Sequence, residues 1–139
     1  MIYVPCDSTA ISLGANEIAA RIRALAPEIE IKRNGTRGLM WLEPLVEVDT
    51  PDGRIAYGPV EPEDINPALL AGEDHPKRLG DIEAHPYLAR QNRLTFERIG
   101  KIDPLSLDDY QAHDGFKGLK NALTLAPQDI VTAVKDSGL

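Results

Sequence analysis

Cys6 is the one thiol in the chain, and it closes the apolar opening run Met1-Ile2-Tyr3-Val4-Pro5. A disulfide, a Cys-x-x-Cys redox couple, a tetrahedral zinc site or an iron–sulfur cluster each needs two or more cysteines, or cysteine with suitably spaced histidines. None of these can be assembled within this sequence. A loop leading into a helix would set Cys6 near amide donors that lower a thiol pKa. A reactive thiol is therefore one reading, and a buried, inert side chain is the preferred one. His75, His85 and His113 fall in polar stretches without metal-ligand spacing. Asp108 and Asp109 form a carboxylate pair, yet after Ser106-Leu107 they resemble a capping box with Asp in place of Glu. Gly35 and Gly38 lack the Lys-Ser/Thr pair of a phosphate loop, and Asn34-Gly35 is explained as a turn. Trp41, with Met40 and Leu42, is read as core, with an exposed docking patch as the alternative. No catalytic, cofactor-binding or metal-binding residue is assigned.

Alternating strand and helix signals must position these residues. Ile2 to Pro5 reads as a strand, and Asp7-Ser8-Thr9 as a polar loop into a helix ending near Ala26. Ile18, Ile22 and Leu25 recur at intervals of four and three, one face of that helix, and Pro27 stops it. Glu28 to Arg33 alternates Ile29 and Ile31 with charged residues, as a half-buried strand does. Leu45 to Thr50 alternates again, and Pro51-Asp52-Gly53 turns the chain into a matching run, Arg54 to Tyr57. A helix is expected around Pro62 to Leu70, with Glu63 and Asp64 favouring the positive end of its dipole. The order βαβ then ββα is the thioredoxin-like arrangement, so the expected fold class is α/β, a thioredoxin-like domain followed by a small helical segment. The expected domains are 1–72, a linker over 73–86, where charged residues dominate, and a helical segment over 87–139. In that last segment helices are expected at Leu107 to Gln111, Phe116 to Leu123 and Pro127 to Asp136, with Gly138 at a terminating position.

At 139 residues and 42% hydrophobic composition the chain can bury one modest core. No apolar stretch approaches the roughly 20 residues needed to span a bilayer, and the start lacks the pattern of a secretory signal. Membrane insertion is not expected, and a cytoplasmic address is the default expectation. The formal charge of −7 disfavours nucleic acid, which requires clustered Lys and Arg. Lys32-Arg33 and Lys77-Arg78 read as ordinary solvated pairs.

Gly100-Lys101-Ile102-Asp103-Pro104-Leu105-Ser106-Leu107-Asp108-Asp109-Tyr110, then Gly115-Phe116-Lys117-Gly118-Leu119 and Val134-Lys135-Asp136-Ser137-Gly138-Leu139, resemble the NADH-binding flavoprotein subunits of respiratory complex I and of soluble NAD-dependent hydrogenases and formate dehydrogenases. In that family Ser-Gly-Leu is followed by an Arg-Gly-Arg-Gly-Gly stretch that cradles FMN and NADH. The front half is most similar to the β subunit of NAD-dependent formate dehydrogenase, through Tyr3-Val4-Pro5-Cys6-Asp7-Ser8-Thr9-Ala10, the run from Arg33 to Pro44, and Tyr57-Gly58-Pro59-Val60. The resemblance implies FMN, NAD and [4Fe–4S] in a longer parent protein and none of them in this chain. It implies partners too: a thioredoxin-like [2Fe–2S] subunit and a catalytic subunit of the same complex.

That [2Fe–2S] subunit ligates its cluster through two cysteine pairs. The corresponding positions here are Cys6, Ile11, Thr36 and Met40, so a degenerate domain without a cluster is expected, since neither Ile nor a neutral Thr hydroxyl replaces a thiolate on iron. The resulting expectation is a non-catalytic scaffold or docking portion of a β subunit. The alternatives are a stand-alone thioredoxin-like thiol protein using Cys6, or an assembly adaptor unrelated to a flavin enzyme.

Overall fold

The computed structural model describes residues 1–138. Leu139, which closes the expected 87–139 segment, lies outside the described residues. The chain divides into two compact units, 1–105 and 106–139.

The first unit is built on a five-stranded mixed sheet in the order β2-β1-β3-β4-β5. Strand β1 (Ile2–Tyr3) runs parallel to β2 (Ile31–Lys32) and antiparallel to β3 (Val46–Thr50), which forms a hairpin with β4 (Gly53–Tyr57). The hairpin register pairs Val48 with Ile55 and Val46 with Tyr57, so alternation sends these four side chains to one face. There they meet Ile18 and Ile22 of helix α2 (Ala15–Leu25), which are fully buried at the spacing the sequence showed. Leu25, the third member of that expected stripe, is exposed. A short helix α1 (Ser8–Ser12) precedes α2 and is capped by Asp7, whose carboxylate accepts from the amides of Thr9 and Ala10.

Three expected boundaries move. The helix expected over Pro62 to Leu70 is a 3-10 turn (Pro62–Asp64) and a separate one-turn helix α3 (Pro67–Leu70), because Pro67 disfavours helical backbone at Asn66 and Asn66 instead caps the new helix. Inside the expected linker 73–86 the chain forms strand β5 (Arg78–Asp81), which adds to the sheet beside β4. Residues up to Leu105 then belong to the same compact unit, through helix α4 (Pro86–Ala89) and an irregular stretch. A second apolar cluster of Leu39, Leu45, Ala56, Ile82 and Leu88 ties this part together.

The second unit contains helices α5 (Leu107–Ala112), α6 (Lys117–Ala122) and α7 (Pro127–Ser137). Ser106 Oγ accepts from the Asp109 amide, so the carboxylate pair starts a helix as the sequence indicated. Gly138 ends α7 in the left-handed region. Tyr110 and Phe116 stack edge to face, 4.9 Å between ring centres. Among the described residues no helix is long and apolar enough to cross a membrane.

Candidate functional site

Cys6 lies in the connection between β1 and α1 and is half-buried, more open than the buried side chain preferred from the sequence. Its amide donates to Asn34 O at 2.8 Å, and its Sγ lies 3.7 Å from Arg33 O. Burial, reinforced by the Asp103 and Asp7 carboxylates and opposed by Arg33, pushes its thiol pKa up. A raised pKa withholds the thiolate that exchange chemistry requires. Alkylation of the folded protein by iodoacetamide at neutral pH should be slower than that of the urea-unfolded chain by on the order of tenfold. Equal rates would show that Cys6 is open and activated.

The other positions matched to cluster ligands carry no thiolate. Ile11 sits exposed on α1. The Thr36 hydroxyl donates to Glu43 Oε1 at 2.8 Å, accepts from the Gly38 amide at 3.0 Å, and lies 4.0 Å from Met40 Sδ. One thiol, an alkyl group, an engaged hydroxyl and a thioether are not a donor set for a [2Fe–2S] cluster. Among the described residues no group of three His, Cys, Asp or Glu is placed to hold a metal ion. His75 accepts from the Lys77 amide, His85 caps α4 by accepting from Tyr87, and His113 lies beside Asp109.

Glu43 is buried, with Oε1 bonded to Thr36 and Oε2 accepting from the Leu45 amide at 2.9 Å. Burial outweighs those two donors and raises its pKa. A carboxyl whose folded pKa exceeds its unfolded value favours the folded state fully below the unfolded pKa and loses that contribution as pH rises through the folded one. Between the ordinary value of 4.5 and neutrality, the stability of wild type should therefore fall relative to Glu43→Gln. Urea midpoints against pH give the test; parallel curves for the two proteins would refute the assignment.

The sheet face opposite α2 carries ions, which alternation alone does not reveal. Glu47, fully buried, accepts from Arg37 Nε at 2.9 Å and Arg37 Nη2 at 2.8 Å, a bidentate pair with the guanidinium 2% exposed. Arg37 Nη1 reaches Glu83 at 2.9 Å. Burial opposes the charge of Arg37, yet Glu47 and Glu83 more than offset it and hold its pKa above the usual arginine value. Arg54 bonds Glu47 and Asp49 at 3.3 Å and lies 3.5 Å from the centre of the Tyr3 ring, whose hydroxyl donates to Asp49. Gly100 covers this cluster, its carbonyl accepting from Asn34 Nδ2 at 2.8 Å and Arg54 Nη1 at 3.3 Å. The cluster fastens residues 93–101 over the sheet.

Trp41 is 59% exposed and Met40 48%, which overturns the core reading for these two, whereas Leu42 is partly buried against the second apolar cluster. Leu39 beside them is the residue that fills the interior. Trp41 stands edge to face with Tyr87, 5.3 Å between ring centres. With Phe96 and Ile99 exposed nearby, the patch is the chemically distinctive surface of the first unit.

No family model matches the chain. It is 46% identical over 50 residues to an NADP-reducing hydrogenase subunit (HndC) of Solidesulfovibrio fructosivorans, covering 36% of this chain and 10% of that protein. It is 50% identical over 34 residues to the F subunit of an NADH-quinone oxidoreductase from Streptomyces coelicolor, 24% of this chain and 8% of the relative. The corresponding Escherichia coli F subunit is 40% identical over 58 residues, 41% and 12% of the two chains. The matches are short. The matched stretches span about a tenth of the length of these curated relatives. These partial similarities tie the chain to subunits of oxidoreductases that use NADH or NADP.

Proposed function

We propose that this chain is a non-catalytic docking portion of the NADH-binding flavoprotein subunit of an NAD-linked oxidoreductase complex. The observation that carries the reading is the 46% identity over 50 residues to a hydrogenase subunit, reinforced by agreement with the two NADH-quinone oxidoreductase relatives. Strand order supports the finer fold reading: a βαβ unit extended by an antiparallel hairpin is the thioredoxin-like arrangement. For the electron donor we propose formate, on the front-half residues from Tyr3 to Ala10 and from Arg33 to Pro44. FMN, NAD and [4Fe–4S] would be held by other parts of the parent subunit, and residues 1–105 would contribute contact alone. The stand-alone thiol reading is disfavoured by the raised pKa of Cys6.

Reading the genomic frame beyond Leu139 tests the proposal most directly. An Arg-Gly-Arg-Gly-Gly continuation is expected, and a stop codon at that point would overturn it. In the intact subunit, deleting residues 1–105 should leave NADH oxidation by an artificial acceptor in place while abolishing formate-dependent NAD⁺ reduction. Loss of both activities together with bound flavin would instead make this region part of the flavin domain.

A further inference from the structure

We propose that the face formed by Met40, Trp41, Tyr87, Phe96 and Ile99 is the contact surface through which the first unit engages a separate protein subunit bearing an apolar ridge edged with carboxylates. The proposal rests on the docking reading above and deepens it by naming the surface and the chemistry of what covers it. Thr36, Gly38, Met40, Tyr87, Phe96 and Ile99 line a groove of about 290 Å³, walled further by Arg37 and Arg93.

Two independent features select the occupant. The first is residue type: tryptophan, tyrosine, methionine and arginine are those enriched where proteins bind each other, and tryptophan, tyrosine and arginine carry most of the binding energy there. Tyr87 braces the exposed indole of Trp41 from one side, so the ring is held ready and loses little freedom on binding. The second feature is charge. Residues 90–101 hold Arg90, Arg93, Arg98 and Lys101 against Glu97 alone, a formal +3 in a chain whose total is −7. The same twelve residues supply the exposed Leu94, Phe96 and Ile99. A cationic segment that supplies Phe96 and Ile99 to the apolar patch favours an acidic partner and disfavours two-fold pairing of this face with itself, which would set arginine against arginine. Arg93 is fixed in the groove wall, its Nη2 donating to Arg37 O at 3.0 Å and its Nε to Gln91 at 2.7 Å.

The test uses the full chain and, as probes, the [2Fe–2S] subunit and the catalytic subunit of the proposed parent complex, each purified separately. Trp41 is the sole tryptophan, so its emission reports burial directly. On adding the correct subunit the emission should shift to shorter wavelength. Trp41→Ala should weaken binding, measured by calorimetry, by about thirtyfold, the size of a hot-spot loss. Arg90→Glu, on the exposed surface, should weaken it severalfold and flatten its salt dependence. Leu25→Ser, on the exposed edge of α2, should leave affinity unchanged. Binding that Trp41→Ala, Phe96→Ser and Arg90→Glu all leave intact would overturn this surface while the docking function stands. If neither subunit binds the wild-type chain, the docking function itself falls. Sedimentation showing a dimer that Trp41→Ala dissolves would assign the face to a second copy, and retention by single-stranded oligonucleotide without subunit binding would assign it to nucleic acid; either overturns the proposal.

Discussion

Glu47→Ala should destabilise the first unit by about 3–5 kcal/mol, because it leaves the Arg37 guanidinium buried without its bidentate counter-ion. Arg37 cannot relax into water: it is 2% exposed, and Gly100 packs over its stem. Glu83 is the remaining carboxylate on Arg37, but its side chain is 57% exposed and its pull is diluted by solvent. Glu83→Gln should therefore cost under about 1 kcal/mol. Replacing both partners by apolar residues of similar volume, Arg37→Met with Glu47→Leu, should recover most of the loss, since neither charge is then stranded. Urea unfolding followed by Trp41 fluorescence measures all of these in the unit concerned. A loss below about 1 kcal/mol for Glu47→Ala would mean that water reaches the guanidinium and that the cluster is not the fastening described.

This cluster also marks where sequence reasoning stopped. The hairpin was legible because Val46, Val48, Ile55 and Tyr57 alternate around Pro51-Asp52-Gly53, and helix starts were legible at Ser106 and Pro127 because those residues have mechanical reasons to stand there. The same alternation puts Glu47 on the face opposite Val46 and Val48 without showing that this face is covered. Its burial depends on Arg37, ten positions earlier, and on the covering chain near Gly100, and no local period records such distant partners. Strand β5 escaped notice for a related reason. Arg78-Leu79-Gly80-Asp81 has neither β-branched residues nor a clean apolar face, and it is a strand because β4 offers an unpaired edge. For Trp41 the error was one of neighbours: the turn does contribute a core residue, but it is Leu39. Of the positions matched to cluster ligands, the sequence alone showed the lost donors, whereas the bond from Thr36 to buried Glu43 required the fold.

Gly100→Ala should cost about 2–4 kcal/mol, and a matched control can separate its two causes. Gly100 has φ +74°, where any side chain is strained, and a Cβ there would overlap Cδ and Nε of Arg37. Gly38 has φ +82° with no atom within 4 Å of the same Cβ position. Gly38→Ala should thus cost only the backbone penalty, on the order of 1 kcal/mol. The excess at Gly100 reports the collision with a side chain that Glu47 holds from below and cannot release. If so, the excess should shrink in the Arg37→Met, Glu47→Leu background, because a methionine stem free of its ion pair can move aside; the double-mutant comparison measures this coupling. Equal losses for Gly100→Ala and Gly38→Ala would show that the 93–101 segment lifts away at little cost. A segment that lifts so readily would also carry Phe96 and Ile99 with it, and the groove beside Trp41 would then have no fixed second wall.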